Sequence, residues 1–260
     1  MKELLTMENV QITIKKGSIP IVKGVNLSVY PGKATVIVGE SGSGKTMLVK
    51  AITGILNREN LLVQGHACLN GVDIFAMNER RRSACCAQLA LIMQNPMTAF
   101  DPSVRIGKQM AVGLKEKNAE MQKKSLDALR AVGLPRAEQL LRAYPHELSG
   151  GMLQRVMIAI AMMRGASLIV ADEPTTALDK VSQYMVLDEL NALKSSGVGI
   201  LLVTHDFTVA RKTADYIAVM KSGKFVEAGA ADALLNHPRH EYTKALLEAG
   251  TLRRKEAEPC

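Results

Sequence analysis

Aromatic residues are scarce in this chain: they make up 3% of its 260 residues, and tryptophan is absent. So few rings argue against a stacking platform for single-stranded nucleic acid, and no nucleic-acid partner is expected. Long apolar runs are missing too, since the run at 156–163 falls well short of the ~20 residues that a membrane-spanning helix needs. We therefore expect no transmembrane segment, and the N-terminus lacks the apolar core of an export signal.

Cysteine is rare, and none of the cysteines has the spacing of metal ligands: Cys68, Cys85, Cys86 and Cys260. The adjacent pair Cys85-Cys86 would form only a strained disulfide. The simplest prediction is a cytosolic chain with reduced thiols.

The formal net charge is +8, yet only two short segments concentrate basic residues, at 80–82 and 253–255. We interpret both clusters as solvated charges on a helix or tail, and attraction to an anionic membrane surface is the alternative. Hydrophobic residues make up 47% of the chain, which is enough for the core of one large domain.

A glycine-rich loop lies between a predicted strand at 34–38 and a predicted helix at 47–52. Its sequence is a complete P-loop, Gly39-Glu40-Ser41-Gly42-Ser43-Gly44-Lys45-Thr46. The glycines allow backbone N–H groups to point at phosphate oxygens, at the positive end of a helix. Lys45 is predicted to reach the β- and γ-phosphates, and the Thr46 hydroxyl to hold Mg²⁺. The sequence thus predicts a nucleoside triphosphate site.

The order of the predicted elements indicates an α/β fold with a P-loop NTPase core. An N-terminal antiparallel β subdomain is predicted from strands at 5–14 and 22–29 and an Asn-Gly turn within 65–74. Helix formers dominate residues 104–151, so we predict one domain over 1–250, with its core at 1–94 and 168–250 and a helical subdomain at about 95–167. Residues 251–260 are predicted to form a basic tail.

Two acidic residues, Asp172 and Glu173, follow an apolar strand at 168–171. They would lie at the carboxyl edge of a parallel sheet, where open α/β folds bind their ligands. Asp172 is suited to hold Mg²⁺ through a water. Glu173 is suited to orient and deprotonate an attacking water.

The run before this strand closely resembles the signature motif of ABC-type ATPases: Leu148-Ser149-Gly150-Gly151-Met152-Leu153-Gln154-Arg155. Ser149 and the glycines precede a predicted helix at 152–163, so they form a second helix N-terminus suited to an anion. The resemblance extends from residue 7 to about 247. It implies an ABC ATPase that uses ATP and Mg²⁺.

Further residues match the motifs of ABC ATPases in the family's order. The resemblance implies that Gln94 touches Mg²⁺ and the attacking water, that Asp179 lies in a loop communicating across a dimer, and that His205 contacts the γ-phosphate. The implied catalytic residues are Glu173, His205 and Gln94, and the implied Mg²⁺ ligands are Thr46, Gln94 and Asp172.

One position departs from the family's pattern. Many members stack an aromatic residue near the N-terminus on the adenine ring, whereas the best-matching position here is Ile14 and residues 1–29 contain no aromatic side chain. We expect Ile14 to pack on the base, with loose selectivity for ATP over GTP.

The resemblance also implies partners. Two ATPase subunits meet head to tail, so that the P-loop of one chain faces the signature residues of the other, Leu148, Ser149, Gly150, Gly151, Met152 and Gln154. The second subunit is expected to be a paralogue in a heterodimer. Two membrane permease subunits and, indirectly, a solute-binding protein complete the assembly, which places this chain peripherally at the cytoplasmic face of the inner membrane.

Three stretches resemble the dipeptide, oligopeptide and nickel importer group, at 94–102, 144–148 and 237–243. The signature run resembles most the ATP-binding subunit of nickel or metallophore importers. A dipeptide or oligopeptide importer is the alternative, and a non-transport ABC ATPase is a third possibility. His66, His237 and His240 are predicted to be surface residues and not nickel ligands.

Overall fold

The computed structural model describes residues 2–86, 88–114, 118–176 and 178–257. Ten strands are present in these ranges: β1 Leu5–Ile14, β2 Ile19–Val29, β3 Ala34–Val38, β4 Leu61–Leu69, β5 Val72–Asp73, β6 Leu89–Ile92, β7 Leu168–Asp172, β8 Gly199–Thr204, β9 Tyr216–Lys221 and β10 Lys224–Ala230. Ten α-helices accompany them: α1 Lys45–Ile52, α2 Glu79–Cys86, α3 Ile106–Met110, α4 Asn118–Ala131, α5 Ala137–Arg142, α6 Gly150–Met163, α7 Lys180–Ser195, α8 Phe207–Thr213, α9 Ala231–Asn236 and α10 Glu241–Ala257.

The N-terminal strands form an antiparallel sheet in the order β2-β1-β4-β5. Strand β1 is central, and Met7 pairs with Leu27 on one side and Ala67 on the other. The turn between β4 and β5 is formed by Asn70 and Gly71, both with positive φ, which is the backbone that a tight Asn-Gly hairpin requires. The predicted antiparallel subdomain is therefore confirmed.

The second sheet has the order β10-β9-β3-β8-β7-β6. All of its pairings are parallel except that of the edge strand β10, which runs antiparallel to β9. Every residue of β3, β7 and β8 is buried, as expected for strands covered on both faces. Because the strands are parallel, the loops after β3, β7 and β8 emerge at one edge of the sheet.

Two hydrophobic cores lie on the two faces of this sheet. One core joins the antiparallel sheet and α1 to side chains such as Ile37, Val170 and Leu201. The other joins alternate residues of the same strands, such as Val36 and Ile169, to the helices between β6 and β7 and to those of the C-terminal half. Alternation along each strand therefore fixes which side chains support which layer.

The segment between β6 and β7 is helical and contains α3 to α6 and two one-turn 3₁₀ helices, Pro96–Ala99 and Pro145–Glu147. Helices α4 and α6 pack against each other within it. We propose that these helices form the inserted subdomain. No helix in the described ranges combines the length and apolar character needed to cross a membrane.

Two predictions about basic clusters change. Helix α2 was not predicted, and Arg82 in it is buried, whereas Arg80 and Arg81 are exposed. The prediction that all three arginines are solvated is wrong because α2 packs Arg82 beside Gly54, where an added Cβ would lie 3.5 Å from the arginine Nε. Helix α10 also continues to Ala257, so residues 251–257 extend a helix. The side chains of 253–255 lie outside the description.

The thiols of Cys68, Cys85 and Cys86 are free, and the reduced state of the chain stays a prediction. Cys260 lies outside the described residues.

Candidate functional site

The P-loop joins the end of β3 to the start of α1, as predicted. Gly44 caps the helix with a φ of 108°, a backbone conformation that side chains rarely adopt. At Gly39, an added Cβ would lie 2.2 Å from the carbonyl oxygen of Met220. Glycine is thus required at the first position because a neighbouring strand passes so close, a reason that the motif alone did not reveal.

Lys45 is held inside the loop and is only 4% exposed. Its Nζ donates hydrogen bonds to the carbonyl oxygens of Gly39 at 2.7 Å and Glu40 at 2.8 Å. Burial lowers the pKa of Lys45, and the charges of Glu173 and Asp172 oppose that shift. The ammonium group therefore stands in a weakly solvated place, where its attraction for a phosphate oxygen is strong.

Asp172 ends β7 beside the first turn of α1. The Thr46 hydroxyl donates to its Oδ1 at 3.3 Å. Burial raises the pKa of Asp172 above its ordinary value, although the Thr46 hydrogen bond and the Lys45 charge lower it. A hydroxyl and a carboxylate oxygen are the hard ligands that Mg²⁺ prefers, so this pair fits the predicted metal site.

Glu173 follows directly and is the point where the predicted catalytic residues meet. Gln94 Nε2 donates to Glu173 Oε2 at 3.4 Å, and His205 Nδ1 lies 3.1 Å from the same oxygen. The side chain of Glu173 is 11% exposed and that of His205 is 38% exposed. Gln94 and His205, which are distant from Glu173 in the sequence, therefore both contact its carboxylate.

Thr176 is a further partner that the sequence analysis did not single out. Its hydroxyl donates to Glu173 Oε2 at 2.8 Å. The backbone of Glu173 has a φ of 47°, which is uncommon for a residue with a side chain, and its N–H donates to Val203 at 2.8 Å. In the sequence, only its position three residues after Glu173 pointed to Thr176. That position indicates a contact with Glu173 only when the chain is known to turn there.

The signature run opens α6. Ser149 is the N-cap, and its Oγ accepts a hydrogen bond from the N–H of Met152 at 3.2 Å. Ser149 is exposed, and Gly150 and Met152 are half-buried. At Gly151, an added Cβ would lie 2.8 Å from the Oγ of Ser182 on α7. A glycine is needed there because α7 packs against the first turn of α6.

Two residues of the signature run, which was predicted to face the second ATPase subunit, lie instead in the interior of this chain. Leu148 is buried, and Gln154 has no exposed surface. The Gln154 amide donates to the carbonyl of Met93 at 3.2 Å, directly before Gln94. The expectation that Gln154 faces a partner chain is wrong for this structure, since the side chain links α6 to the end of β6.

Asp179 is the N-cap of α7. Its carboxylate accepts hydrogen bonds from the backbone N–H of Ser182 at 2.9 Å and from the Ser182 hydroxyl at 2.7 Å. These bonds, the backbone one first, hold its pKa below the ordinary value. Ala177, in the same predicted loop, lies outside the described residues.

Ile14, the predicted base contact, is half-buried at the end of β1 and pairs with Ile19 and Leu61. Its contact with a base remains a prediction.

A profile of a family described as "ABC transporter" matches residues 22–176, more than half of the chain. The chain belongs to the ABC transporter family. This ABC protein is 39% identical over 250 residues to the metal-staphylopine import system ATP-binding protein CntD of Staphylococcus aureus strain Mu50, covering 94% of this chain and 92% of the relative. It is also 37% identical over 254 residues to the dipeptide transport ATP-binding protein DppD of Escherichia coli K12, covering 95% and 78%.

Solved ABC structures share the fold. The dimeric ATP-binding cassette MJ0796, in a post-hydrolysis state with ADP and phosphate, matches with a TM-score of 0.77 and 25% identity over 87% of this chain and 98% of that one. CbiO1 of Clostridium perfringens has a TM-score of 0.78 at 23% identity, covering 98% and 100%, and shows the fold alone. The α/β ABC fold and the family resemblance are confirmed, and the chain is an ATP-binding ABC ATPase.

Proposed function

We propose that this ABC ATPase energises the import of nickel, another transition metal or a metal chelate through separate permease subunits. The relatives named above are ATP-binding proteins of transport systems. In general terms, this chain is the ATP-binding subunit of an importer. The choice of a metal or metal chelate is supported by similarity to the metal-staphylopine system, whose protein matches over nearly its whole length.

The convergence of Gln94 and His205 on Glu173 is the observation that carries the hydrolytic part of the proposal. Glu173 is placed to accept a proton from the attacking water, because its carboxylate is held at three points and is only 11% exposed. Lys45 stabilises charge on the β- and γ-phosphates, and the P-loop backbone orients them.

Thr46 and Asp172 would hold Mg²⁺, with Gln94 as the further proposed ligand. A bound Mg²⁺ supplies charge neutralisation at the phosphate oxygens. The fit rests on the donor set, since a hydroxyl and a carboxylate lie 3.3 Å apart at the end of β7, one residue before Glu173.

We further propose that the complete site requires two ATPase subunits. Ser149 is exposed at the N-terminus of α6, and a helix N-terminus suits a phosphate group of the neighbouring subunit's nucleotide. The likeness to a dimeric cassette supports this arrangement. A paralogue is the proposed second subunit; two permeases and a solute-binding protein would form the rest of the assembly, with this chain peripheral at the cytoplasmic membrane face.

Reconstitution tests the substrate class. The chain would be co-purified with the permeases that its neighbouring genes encode, placed in liposomes and supplied with the neighbouring solute-binding protein. We expect ATP turnover to rise when that protein is loaded with nickel or a nickel chelate. Stimulation by peptides and not by metal would support the alternative, a dipeptide or oligopeptide importer, which the 37% identity to DppD favours. Glu173→Gln in the same liposomes is the control for background hydrolysis.

A non-transport role is tested by affinity capture. We expect permease subunits to co-purify with the tagged chain from detergent-solubilised membranes. Capture of ribosomes or nucleic acid with no permease would contradict the transport assignment.

A further inference from the structure

The side chain of Tyr242 contacts the P-loop, although the two are far apart in the sequence. The hydroxyl of Tyr242 accepts a hydrogen bond from the backbone N–H of Glu40 at 3.3 Å. Tyr242 is 9% exposed, and the Nζ of Lys221 lies 4.4 Å from the centre of its ring. Tyr242 lies outside the segment matched by the family profile, residues 22–176, whereas Glu40 lies within it.

The start of α10, which carries Tyr242, is fixed by a carboxylate on the edge strand β10. Glu227 accepts hydrogen bonds from the N–H groups of Arg239 at 2.8 Å and His240 at 3.1 Å. Burial alone would raise the pKa of Glu227, but the hydrogen bonds that it accepts keep the pKa below the ordinary value. The N–H of Tyr242 donates to the Nδ1 of His240 at 3.0 Å. The turn before α10 is therefore anchored to the sheet.

The strands next to α10 contact the P-loop as well. The N–H of Gly223, in the turn between β9 and β10, donates to the carbonyl of Ser43 at 2.9 Å. The carbonyl of Met220 on β9 packs against Gly39 so closely that no Cβ fits there. Together with the hydrogen bond from Glu40 to Tyr242, these contacts join the C-terminal segment to the P-loop at positions that include 39, 40 and 43.

We propose that Tyr242 is a positioning residue that orders the P-loop before a nucleotide phosphate arrives. Glu40 directly follows Gly39, which packs against the Met220 carbonyl. It precedes the rest of the P-loop, residues 41–46, whose N–H groups are predicted to face the phosphates. When its N–H is bound to Tyr242, this part of the loop is fixed in the nucleotide-free chain. Without the hydroxyl, the same ordering has to occur during binding, which weakens affinity for the nucleotide.

The test uses Tyr242→Phe in the full-length chain, which removes the hydroxyl and keeps the ring under Lys221. Tyr216→Phe is the matched control, because Tyr216 begins β9 and its side chain is exposed. Calorimetric titration with Mg²⁺-ADP gives the dissociation constant. We expect about three- to tenfold weaker binding for Tyr242→Phe, the loss typical of one hydrogen bond, and no change for Tyr216→Phe.

Hydrogen exchange gives a second readout that does not depend on activity. In the nucleotide-free chain, the amides of residues 39–46 should exchange faster in Tyr242→Phe than in the unmodified chain and in Tyr216→Phe. Glu227→Gln weakens the hydrogen bonds that hold the turn before α10. Like Tyr242→Phe, it should therefore speed up amide exchange in the P-loop and weaken nucleotide binding. This second variant keeps the proposal testable if Tyr242→Phe folds poorly.

Unchanged ADP affinity and unchanged exchange in Tyr242→Phe would overturn the proposal. A lower unfolding temperature with unchanged affinity would also overturn it, because the contact would then act only on stability. These results leave the transport proposal untouched, since that proposal fails only if transported solutes and permeases do not couple to ATP turnover.

Discussion

At the scale of single residues, the site depends on how one carboxylate is held. Glu173 has a left-handed backbone and three side-chain partners, Gln94, Thr176 and His205. A strained backbone persists only where surrounding contacts fix it, and such positions cluster at functional sites. The contacts around Glu173 fix a side chain that is suited to a single proton transfer.

Replacing Glu173 by Gln should preserve nucleotide binding and lower ATP turnover by about 10²–10⁴-fold, because an amide has the same shape but cannot accept the proton. Phosphate release assays at saturating ATP measure turnover, and titration with Mg²⁺-ATP measures affinity. The variant should also accumulate as a closed dimer with ATP in size-exclusion chromatography. Turnover equal to that of the unmodified chain would remove Glu173 from the role of base.

Replacing Lys45 by Ala should weaken nucleotide binding itself. The buried Lys45 ammonium group is the positively charged side chain of the loop. Charge-assisted hydrogen bonds contribute about 1.5–3 kcal/mol, or roughly 10- to 150-fold in affinity. Titration with Mg²⁺-ADP checks the change, and Lys224→Ala, an exposed lysine on β10, is the control. Normal affinity in Lys45→Ala would contradict the assignment of the P-loop.

At the scale of elements, the contact between α6 and α7 contains a half-buried acid, Glu189. Glu189 of α7 has its Oε2 buried without a hydrogen-bond partner among the described residues. Burial raises the pKa of Glu189 to about 8; Arg155 of α6 lowers it, and Asp188 on the same helix adds to the rise. Helix α6, which starts at the signature run, is thus packed against a carboxyl group whose pKa lies near 8.

This pKa predicts a pH dependence of stability. Between the ordinary pKa of 4.5 and about 8, the folded chain holds a proton that the unfolded chain releases, so the contribution of Glu189 to stability falls as pH rises through this window. Glu189→Gln should remove that loss and raise the free energy of unfolding at pH 8 by about 1–4 kcal/mol, where the upper value is the full shift and the lower value applies because solvent screens a half-buried side chain.

Urea unfolding at pH 5 and pH 8 measures this effect. At pH 5 the variant and the unmodified chain should be nearly equal, since both then carry a neutral side chain at position 189. Glu120→Gln, at an exposed position of α4, serves as the control and should not alter the pH dependence. An equal difference between Glu189→Gln and the unmodified chain at both pH values would contradict the assignment of the titration to Glu189.

At the scale of the whole molecule, the sheet order explains how much the sequence could predict. Apolar runs at β3, β7 and β8 indicated buried parallel strands, and their order along the chain placed the P-loop and Glu173 at one edge. Local patterns could not reveal the hydrogen bond from the Glu40 N–H to the Tyr242 hydroxyl, which spans 202 residues, or the burial of Gln154. Helix α2 was not predicted because its sequence, with three consecutive arginines, has no apolar face at helical spacing. Arg82 is nevertheless buried, and its residue type gave no sign of this.

The isolated chain should bind ATP but hydrolyse it slowly, because Ser149 and the first turn of α6 act on a neighbouring subunit's nucleotide in the proposed dimer. Turnover per molecule should therefore rise with protein concentration and rise further when the paralogue and permeases are added. Phosphate release measured across a dilution series checks this expectation, with Glu173→Gln as the inactive control. Turnover that is independent of concentration and already high in a monomer would contradict the two-subunit site.

The hydrogen bond from Gln154 to the Met93 carbonyl has a mechanical consequence. It ties the second turn of the signature helix to the residue before Gln94, and the Gln154 side chain that makes it is fully buried. A movement of the signature helix would therefore be expected to displace the end of β6, next to Gln94, and a movement of that end would be expected to displace the helix. In the proposed dimer, the helix that would meet the neighbouring chain and the residue proposed to contact the attacking water would be joined by this one hydrogen bond.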